Sequence, residues 1–572
     1  MTYSIFAYSE YAYGDAPAID FFPEALRRLA TARTSNPILF LEISARENTV
    51  TLIEDILEER PGLVIEGFGM IPYSAKSLPR VERETVSFLF STRPWTGSPE
   101  DPTRANQRAI PRIISAGRIS RTAPMDSSVT KRGQRTIGDA RIANPDGALD
   151  YILTNYTMQG GEIKAWLGEP GDTSDQWALL YQATVEDAEA SRQEIIVSIS
   201  TIQDQLKRSL QTRRYTGGGG ISGDGNVSGR LRPTCWGECF GIDPVLISEA
   251  DRIYQIHDSS IQAVDAVYEG GLPYDFTADY PDYTALSLAT LDIGEYATCL
   301  AYGLIRIGTT LEGLVYPLRV SAKGDNTSNG YVSSTGDILY RLARNRAFLT
   351  ADQVDVNSFQ GLPRGRVGYY TNGAQDVSIE SVFDALLGGV VATYGVGRLA
   401  ELQVSRMIPA DMQLTDVTVN KDQIFDSRVE ALPYEPRLRQ PYYYSPTFAP
   451  VDPDQLSPLA DSSLADRLQE GFQEGEYFQA STAAIVPLQH PHLVTYFVDD
   501  LNAQGVAKDA LQFSARNIVP LRSDIGRIGL LVDIGGVIAI DESRFANDFR
   551  GVIYELEDNL GATITSRVVA VG

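Results

Sequence analysis

Apolar and polar residues alternate in short runs along most of this chain. In "PILFLEISA", Leu39, Leu41 and Ile43 fall on one side, the two-residue period of a strand. "ETVSFLFSTRPW" (84–95) and "RIISAGRISRTAP" read the same way, and "EIKAWLG", "WALLYQATVED" and "EIIVSIS" read as paired strands. Helical rhythm is rarer. "AIDFFPEALRRLATARTSN" (18–36) is rich in helix formers and is stopped by Asn36-Pro37. "VSIESVFDALLGGV" puts Ile379, Val382, Phe383, Leu386 and Leu387 on one face and ends near Gly-Gly. "SSLADRLQEGFQEGEYF" is expected to be helical as well. With 49 glycines and 29 tyrosines, short strands separated by turn residues dominate. The pattern favours β-barrels or sandwiches over a doubly wound sheet, with a few helices interspersed.

The pattern breaks most sharply at "YTGGGGISGDGNVSGRLRP" (215–233), where seven glycines fall within 19 residues. No regular element is expected to persist there. No Gly-Lys-Ser or Gly-Lys-Thr follows and no dinucleotide fingerprint is present, so a loop or linker is expected rather than a phosphate cradle. "DNTSNGYVSSTGD" and the Pro- and Tyr-rich "LPYEPRLRQPYYYSPTFAPVDPDQLSP" (432–458) read as further loops. A length of 572 residues points to about three to five domains.

Charge narrows the function. The chain has 49 basic and 74 acidic side chains, and 49 − 74 gives a net charge of −25. Binding to free nucleic acid needs basic surface to displace counterions, so that class is disfavoured. A passage that DNA crosses without sticking remains compatible. "MTYSIFAYSEYAYGDAP" has neither the basic nor the apolar region of a signal peptide. "IGRIGLLVDIGGVIAI" is interrupted by Arg527 and Asp533 and is shorter than a membrane helix requires, so no stable membrane insertion is expected. Three cysteines make no disulfide framework, and synthesis in a reducing cytoplasm is expected.

The candidate chemistry is sparse. Cys235 and Cys239 in "CWGEC" are spaced C-x-x-x-C, not the C-x-x-C of zinc knuckles or redox motifs. A four-ligand site could be assembled from Cys235, Cys239, Cys299 and His257, but the spacing does not demand it. Buried cysteines acting as small apolar residues are the expectation, with no metal and no cofactor. The histidines are His257, His490 and His492, and no G-x-S-x-G elbow is present. No catalytic residue is assigned, and an enzyme is not expected. The aromatic loops "YAYGDAP" (Tyr11, Tyr13) and "QPYYYSPTF" (Tyr442, Tyr443, Tyr444) are candidate docking segments for neighbouring subunits.

A resemblance organises these pieces. "PRIISAGRISR", "GDARIANPDGALD" and "GGEIKAWLG" resemble, in order, a segment of phage tail hub (baseplate hub) proteins. "RLRPTCWGECFGIDPVLISEADRIYQIHDSSIQAVDAVYEGGLPYDFTADY" (230–280) is similar to a later one. There Pro233, Gly237, Pro244, Tyr254, Gln255, His257, Asp258, Val267, Tyr268 and Gly271 sit on family positions. "GDILYRLARNRAFLTADQVDVNSFQGL" and the stretch from "VGYYTNGAQ" to "SRMIP" continue the likeness, which covers roughly residues 110 to 410. Residues 1–110, the "CWGEC" cysteines and the long glycine-rich loop depart from the pattern.

The resemblance implies a fold that is mainly β with α/β insertions, a multi-domain hub built on small β-barrels, lying at the distal end of a tail. The implied organisation is an α/β region private to this protein at 1–110, a first barrel at 111–215 and a glycine-rich loop or linker at 216–232. It continues with a second β-rich region at 233–340, an α/β region at 341–410 and a C-terminal β-rich region at 411–572. Three copies would ring a lumen through which viral DNA passes without sequence-specific binding. The implied partners are the distal tail protein, the tape measure protein and tip or fibre proteins. The implied location is the virion, after synthesis in the bacterial cytoplasm. In this frame His257 and Asp258 are expected in a turn between strands, not as a general base with its acid. Two alternatives stand beside it: a receptor-binding or adhesion protein, and a tail-associated cell-wall or polysaccharide hydrolase.

Overall fold

Two eight-stranded sheets share the largest core of the molecule. The computed structural model describes residues 24–31, 37–47, 85–123, 134–309, 316–327, 330–397, 400–429, 439–478, 492–514, 520–541, 549–561 and 563–571. The first sheet runs, in spatial order, Thr85–Ser91, Ile38–Glu47, Glu162–Gly168, Ala178–Ala190, Glu194–Ser200, Ala140–Ala143 and Ile113–Ser115, with Tyr156–Thr157 also pairing Ile38–Glu47. The second runs Val417–Val419, Val537–Ile540, Phe549–Leu560, Ile564–Val571, Pro520–Ile525 and Ile424–Val429, with Arg118–Thr122 joining at Phe549–Leu560 and Gln134–Ile137 pairing Arg118–Thr122. Leu41, Ile163, Leu180 and Val197 of the first meet Leu521, Ile538, Leu556 and Val568 of the second in one core. Segments 1–110, 111–215 and 411–572, distinct regions by sequence, thus all supply strands to this pair of sheets. Arg118–Thr122, from the "RISR" motif, crosses over to pair antiparallel with Phe549–Leu560.

Ile38–Glu47 shows why "ILFL" is apolar at successive positions. Leu39, Leu41 and Ile43 face the shared core. Ile38 and Phe40 face a second, aromatic core, where Phe40 stacks on Trp177 at 3.8 Å and meets the edge of Trp95 at 5.4 Å. A strand covered on both faces carries no polar alternation.

The middle of the chain forms two curled five-stranded sheets. One is ordered Leu272–Pro273, Ile261–Glu269, Leu318–Asp325, Thr234–Ile242, Gly368–Thr371. The other is ordered Val245–Ser248, Ile253–Gln255, Leu304–Ile307, Glu295–Cys299, Asp275–Asp279. They close on Cys235, Cys239, Ile256, Val267, Ile305 and Val320. The glycine-rich segment is folded against them. It contains two single 3-10 turns, and Tyr215 and Val227 pack on Val245 and Ile247. Gly217, Gly219, Gly220 and Gly223 take positive φ, which only glycine adopts freely.

A helical layer covers the other side of Trp236. Helices Thr335–Asn345, Val356–Gln360, Ile379–Gly388 and Asp500–Ser514 pack there with the hairpin Ala392–Val396/Leu402–Arg406. Ile379–Gly388 buries the five apolar residues expected of it, and the Ser378 side chain caps it by accepting from the Ser381 N–H. Two expectations are corrected. Only Ser462–Gln469 of the stretch expected to be helical is a helix, because the chain turns at Gly471 and Gln473–Phe478 becomes a strand. "QPYYYSPTF", expected as a loop, is in part the strand Arg439–Tyr444, central in a three-stranded sheet. Pro441 fits because the neighbour Leu493–Val494 pairs only at Tyr442 and Tyr443.

Candidate functional site

His257 and Asp258 lie in the turn between Ile253–Gln255 and Ile261–Glu269, and both side chains are fully buried. The Cys235 backbone N–H donates to His257 Nδ1 at 3.0 Å. That acceptor role leaves the ring proton on Nε2. Nε2 stands 3.4 Å from Asp325 Oδ1 and 3.5 Å from Asp258 Oδ1, with neither contact well aligned. The Trp236 ring meets the imidazole edge-on at 5.7 Å.

Two arginines pair with the carboxylates, and a third holds a carbonyl of the turn. Arg346 donates to both oxygens of Asp258, at 2.8 and 3.0 Å, and its guanidinium lies 5.6 Å from the centre of the Trp236 ring. Arg341 donates to Asp325 Oδ2 at 2.7 Å and to the Gly330 carbonyl at 2.6 Å. Arg213 donates to the Asp258 carbonyl at 2.9 Å, and the Thr327 hydroxyl donates to Asp325 Oδ1 at 2.6 Å. Burial works to raise both carboxyls. For Asp258, the imidazole and the Arg346 hydrogen bonds outweigh it. For Asp325, the nearby His257 ring, the Thr327 hydroxyl and Arg341 do the same. Both acids are therefore held below their ordinary range.

Two carboxylates facing two guanidiniums balance in charge. Each acid belongs to the curled sheets or their turns, while Arg341 lies on helix Thr335–Asn345 and Arg346 at its end. Such a cluster fixes the helix on the barrel. It offers no free acid, base or nucleophile with room for a substrate.

The four side chains weighed as metal ligands do not converge. Cys235 and Cys239 share one core and Cys299 lies in another, while His257 Nδ1 is occupied by the Cys235 N–H. Among the described residues, no group of three or more His, Cys, Asp or Glu is arranged to hold a metal. Burial pushes the Cys239 thiol well up, and that of Cys299 up to about 11, so neither forms thiolate readily. Cys239 Sγ instead faces the Trp236 carbonyl at 3.5 Å.

A second buried crossing sits in the "RISR" strand. Arg121 donates to Asp558 Oδ2 at 2.9 Å and lies 2.6 Å from Asp533 Oδ1, while the Ser566 hydroxyl donates to Asp558 Oδ1 at 2.6 Å. Composition and spacing single out none of Arg121, Asp325, Arg341, Arg346 or Asp558. One signal was present: Arg341 falls at i+3 from Ile338 and beside Leu342, on the apolar stripe of its helix.

The tyrosine candidates divide. Tyr442 is a core residue whose hydroxyl donates to Asp500 Oδ1 at 2.7 Å. Tyr443 is half-buried and stacks on His492 at 4.3 Å, with His492 Nε2 2.6 Å from Glu474 Oε1. Tyr444 is half-buried, 6.1 Å from the Tyr442 ring. Tyr11, Tyr13 and His490 lie outside the described residues.

No family model matches the chain, and no curated protein matches it. Solved structures do. The chain is similar to the tail protein from Neisseria meningitidis MC58, at 8% identity and a TM-score of 0.37, over 81% of this chain and 95% of that one. It is similar to a chain in the virion of a native gene transfer agent particle, at 13% identity and a TM-score of 0.39, over 65% and 91%. It is also similar to the 43 kDa tail protein of prophage MuSo2 from Shewanella oneidensis, at 9% identity and a TM-score of 0.34, over 79% and 93%. These three solved structures are tail and virion proteins.

Proposed function

We propose that this chain is a structural virion protein, the central hub at the distal end of a phage tail. The reading rests on the ordered sequence motifs between residues 110 and 410, and on what their marked residues do in the fold. They are positions the architecture needs. Gly237 has φ of 67°, and a Cβ there would stand 2.0 Å from the Val367 carbonyl oxygen. Gln255 is buried and accepts from the Tyr215 hydroxyl at 2.6 Å. His257 and Asp258 tie strand to helix, and Arg121 ties the first half of the chain to the last strands. Motifs made of such residues are a signature of shape, as expected of a part that assembles rather than one that turns over a substrate.

On this reading three copies form a ring around the DNA path. The ring meets the distal tail protein and tape measure protein on one side and tip or fibre proteins on the other. The test is location. Gold-labelled antibody against this chain, applied to intact particles, is expected to mark the tail end distal to the capsid. Label on the capsid or along the tube, or none on intact and detergent-opened particles alike, would overturn the proposal.

A further inference from the structure

The strand Asp275–Asp279 ends its sheet: it pairs in parallel with Glu295–Cys299, and no described strand lies beyond it. An open edge leaves backbone donors and acceptors for another chain, and proteins usually protect such edges. This one instead is exposed along its length and carries a large apolar side chain, Phe276, which is 55% exposed. The stretch of chain that contains it has charges of a single sign. Asp275, Asp279, Asp282, Asp292 and Glu295 fall between Gly270 and Cys299, a stretch with no Lys, Arg or His. Arg306, the nearest cation along the chain on the C-terminal side, is turned inward to the carbonyls of Leu286, Ser287 and Ala289.

We propose that this edge binds an extended, basic segment of a partner protein, which adds a strand beside Asp275–Asp279. The edge backbone supplies the pairing. Phe276 supplies an apolar contact, and Asp275, with the negative charge of the acids that follow it, selects Lys or Arg on the incoming strand. The acids bear on the alternative too: a second copy of a chain with net charge −25 brings mostly the wrong sign. The inference stands on the exposed edge and does not depend on the hub reading.

Three labelled synthetic peptides test it on the full chain. One alternates Lys with Val, one replaces each Lys by Glu, and one keeps the Lys residues but interrupts the Val positions with Pro. The Lys peptide is expected to bind and to slow amide exchange at residues 275–279. Raising salt from low to physiological strength is expected to weaken it about tenfold, since exposed charges are screened over about 8–10 Å. The Glu and Pro peptides are expected to bind at least about tenfold more weakly, the size of one lost ~1.4 kcal/mol contribution. Phe276→Asn and Asp275→Lys, checked for unchanged thermal unfolding, are each expected to cost the Lys peptide a similar factor.

Several results would overturn the proposal: no binding to the native chain, equal binding of the Pro or Glu peptide, or protection elsewhere. Concentration-dependent self-association abolished by Phe276→Asn would also overturn it, by assigning the edge to a second copy.

Discussion

Two buried arginine–aspartate crossings hold this molecule together, and they are built differently. At the barrel, Asp258 and Asp325 face Arg346 and Arg341, and all four side chains are nearly sealed from water. At the "RISR" strand, one arginine faces two acids: Arg121 and Asp558 are buried, while the Asp533 side chain is 33% exposed. The first crossing is balanced, so removing one partner strands an opposite charge. The second has a spare acid near water. Their spans also differ. The barrel crossing joins residues 88 and 16 positions apart, whereas Arg121 and Asp558 are 437 apart. One fastens a helix to its neighbouring sheets. The other closes the chain's two ends into one unit.

The largest effect is expected at Asp258. Asp258→Ala leaves Arg346 buried without its acid, and such breaks cost about 3–5 kcal/mol. Urea unfolding of the full chain should show the midpoint fall. The joint change Asp258→Leu with Arg346→Met should recover most of the loss, since an apolar pair can replace a buried ion pair. If the pair is no better than Asp258→Ala, the balanced-charge account of this crossing fails.

Asp558→Asn is expected to cost less, about 2 kcal/mol, because Asp533 still faces Arg121. Adding Asp533→Asn should deepen the loss by more than Asp533→Asn does alone. Simple additivity would show that the spare acid gives no compensation.

His257→Phe keeps a ring against Trp236 but removes the acceptor for the Cys235 N–H. Leaving a buried donor unmade costs about 1–3 kcal/mol. An unchanged midpoint would mean that Nδ1 does not hold that strand.

Acid should reveal the barrel crossing in the native chain. The carboxyls of Asp258 and Asp325 are lower folded than unfolded. Their contribution is complete above the ordinary carboxylate range of about 4 and is lost as pH falls through the folded values below it. Urea midpoints measured downward from pH 5 should fall, and Asp258→Asn should flatten part of that slope. Tyr442→Phe is the smallest change, about 1 kcal/mol for the lost bond to Asp500. It should leave particle assembly intact, because the ring belongs to the core and not to a docking loop.

Strand periodicity was legible wherever one face is buried. "EIKAWLG" and "EIIVSIS" pair through Ala178–Ala190 as their alternation implies. The helix at 379–388 was equally plain. Pairing partners were not legible, because nothing local in "RISRT" tells that its mate lies more than 400 residues on. "QPYYY" misled because proline and tyrosines signal an exposed loop, whereas a short parallel neighbour makes room for the proline. "CWGEC" drew attention as chemistry, yet Gly237 is there for its backbone and the sulfurs for the core. The arginines that complete the His257 cluster lie 84 and 89 residues beyond it, in a stretch with no pattern linking them to it.

On the proposed hub reading, these residues shape a part that assembles. The most direct measurement is the native mass of the purified full chain, with metal content determined on the same sample. A trimer without stoichiometric metal is the predicted result. A monomer carrying one tightly bound metal ion per chain would contradict the account and return Cys235, Cys239, Cys299 and His257 to consideration as a site.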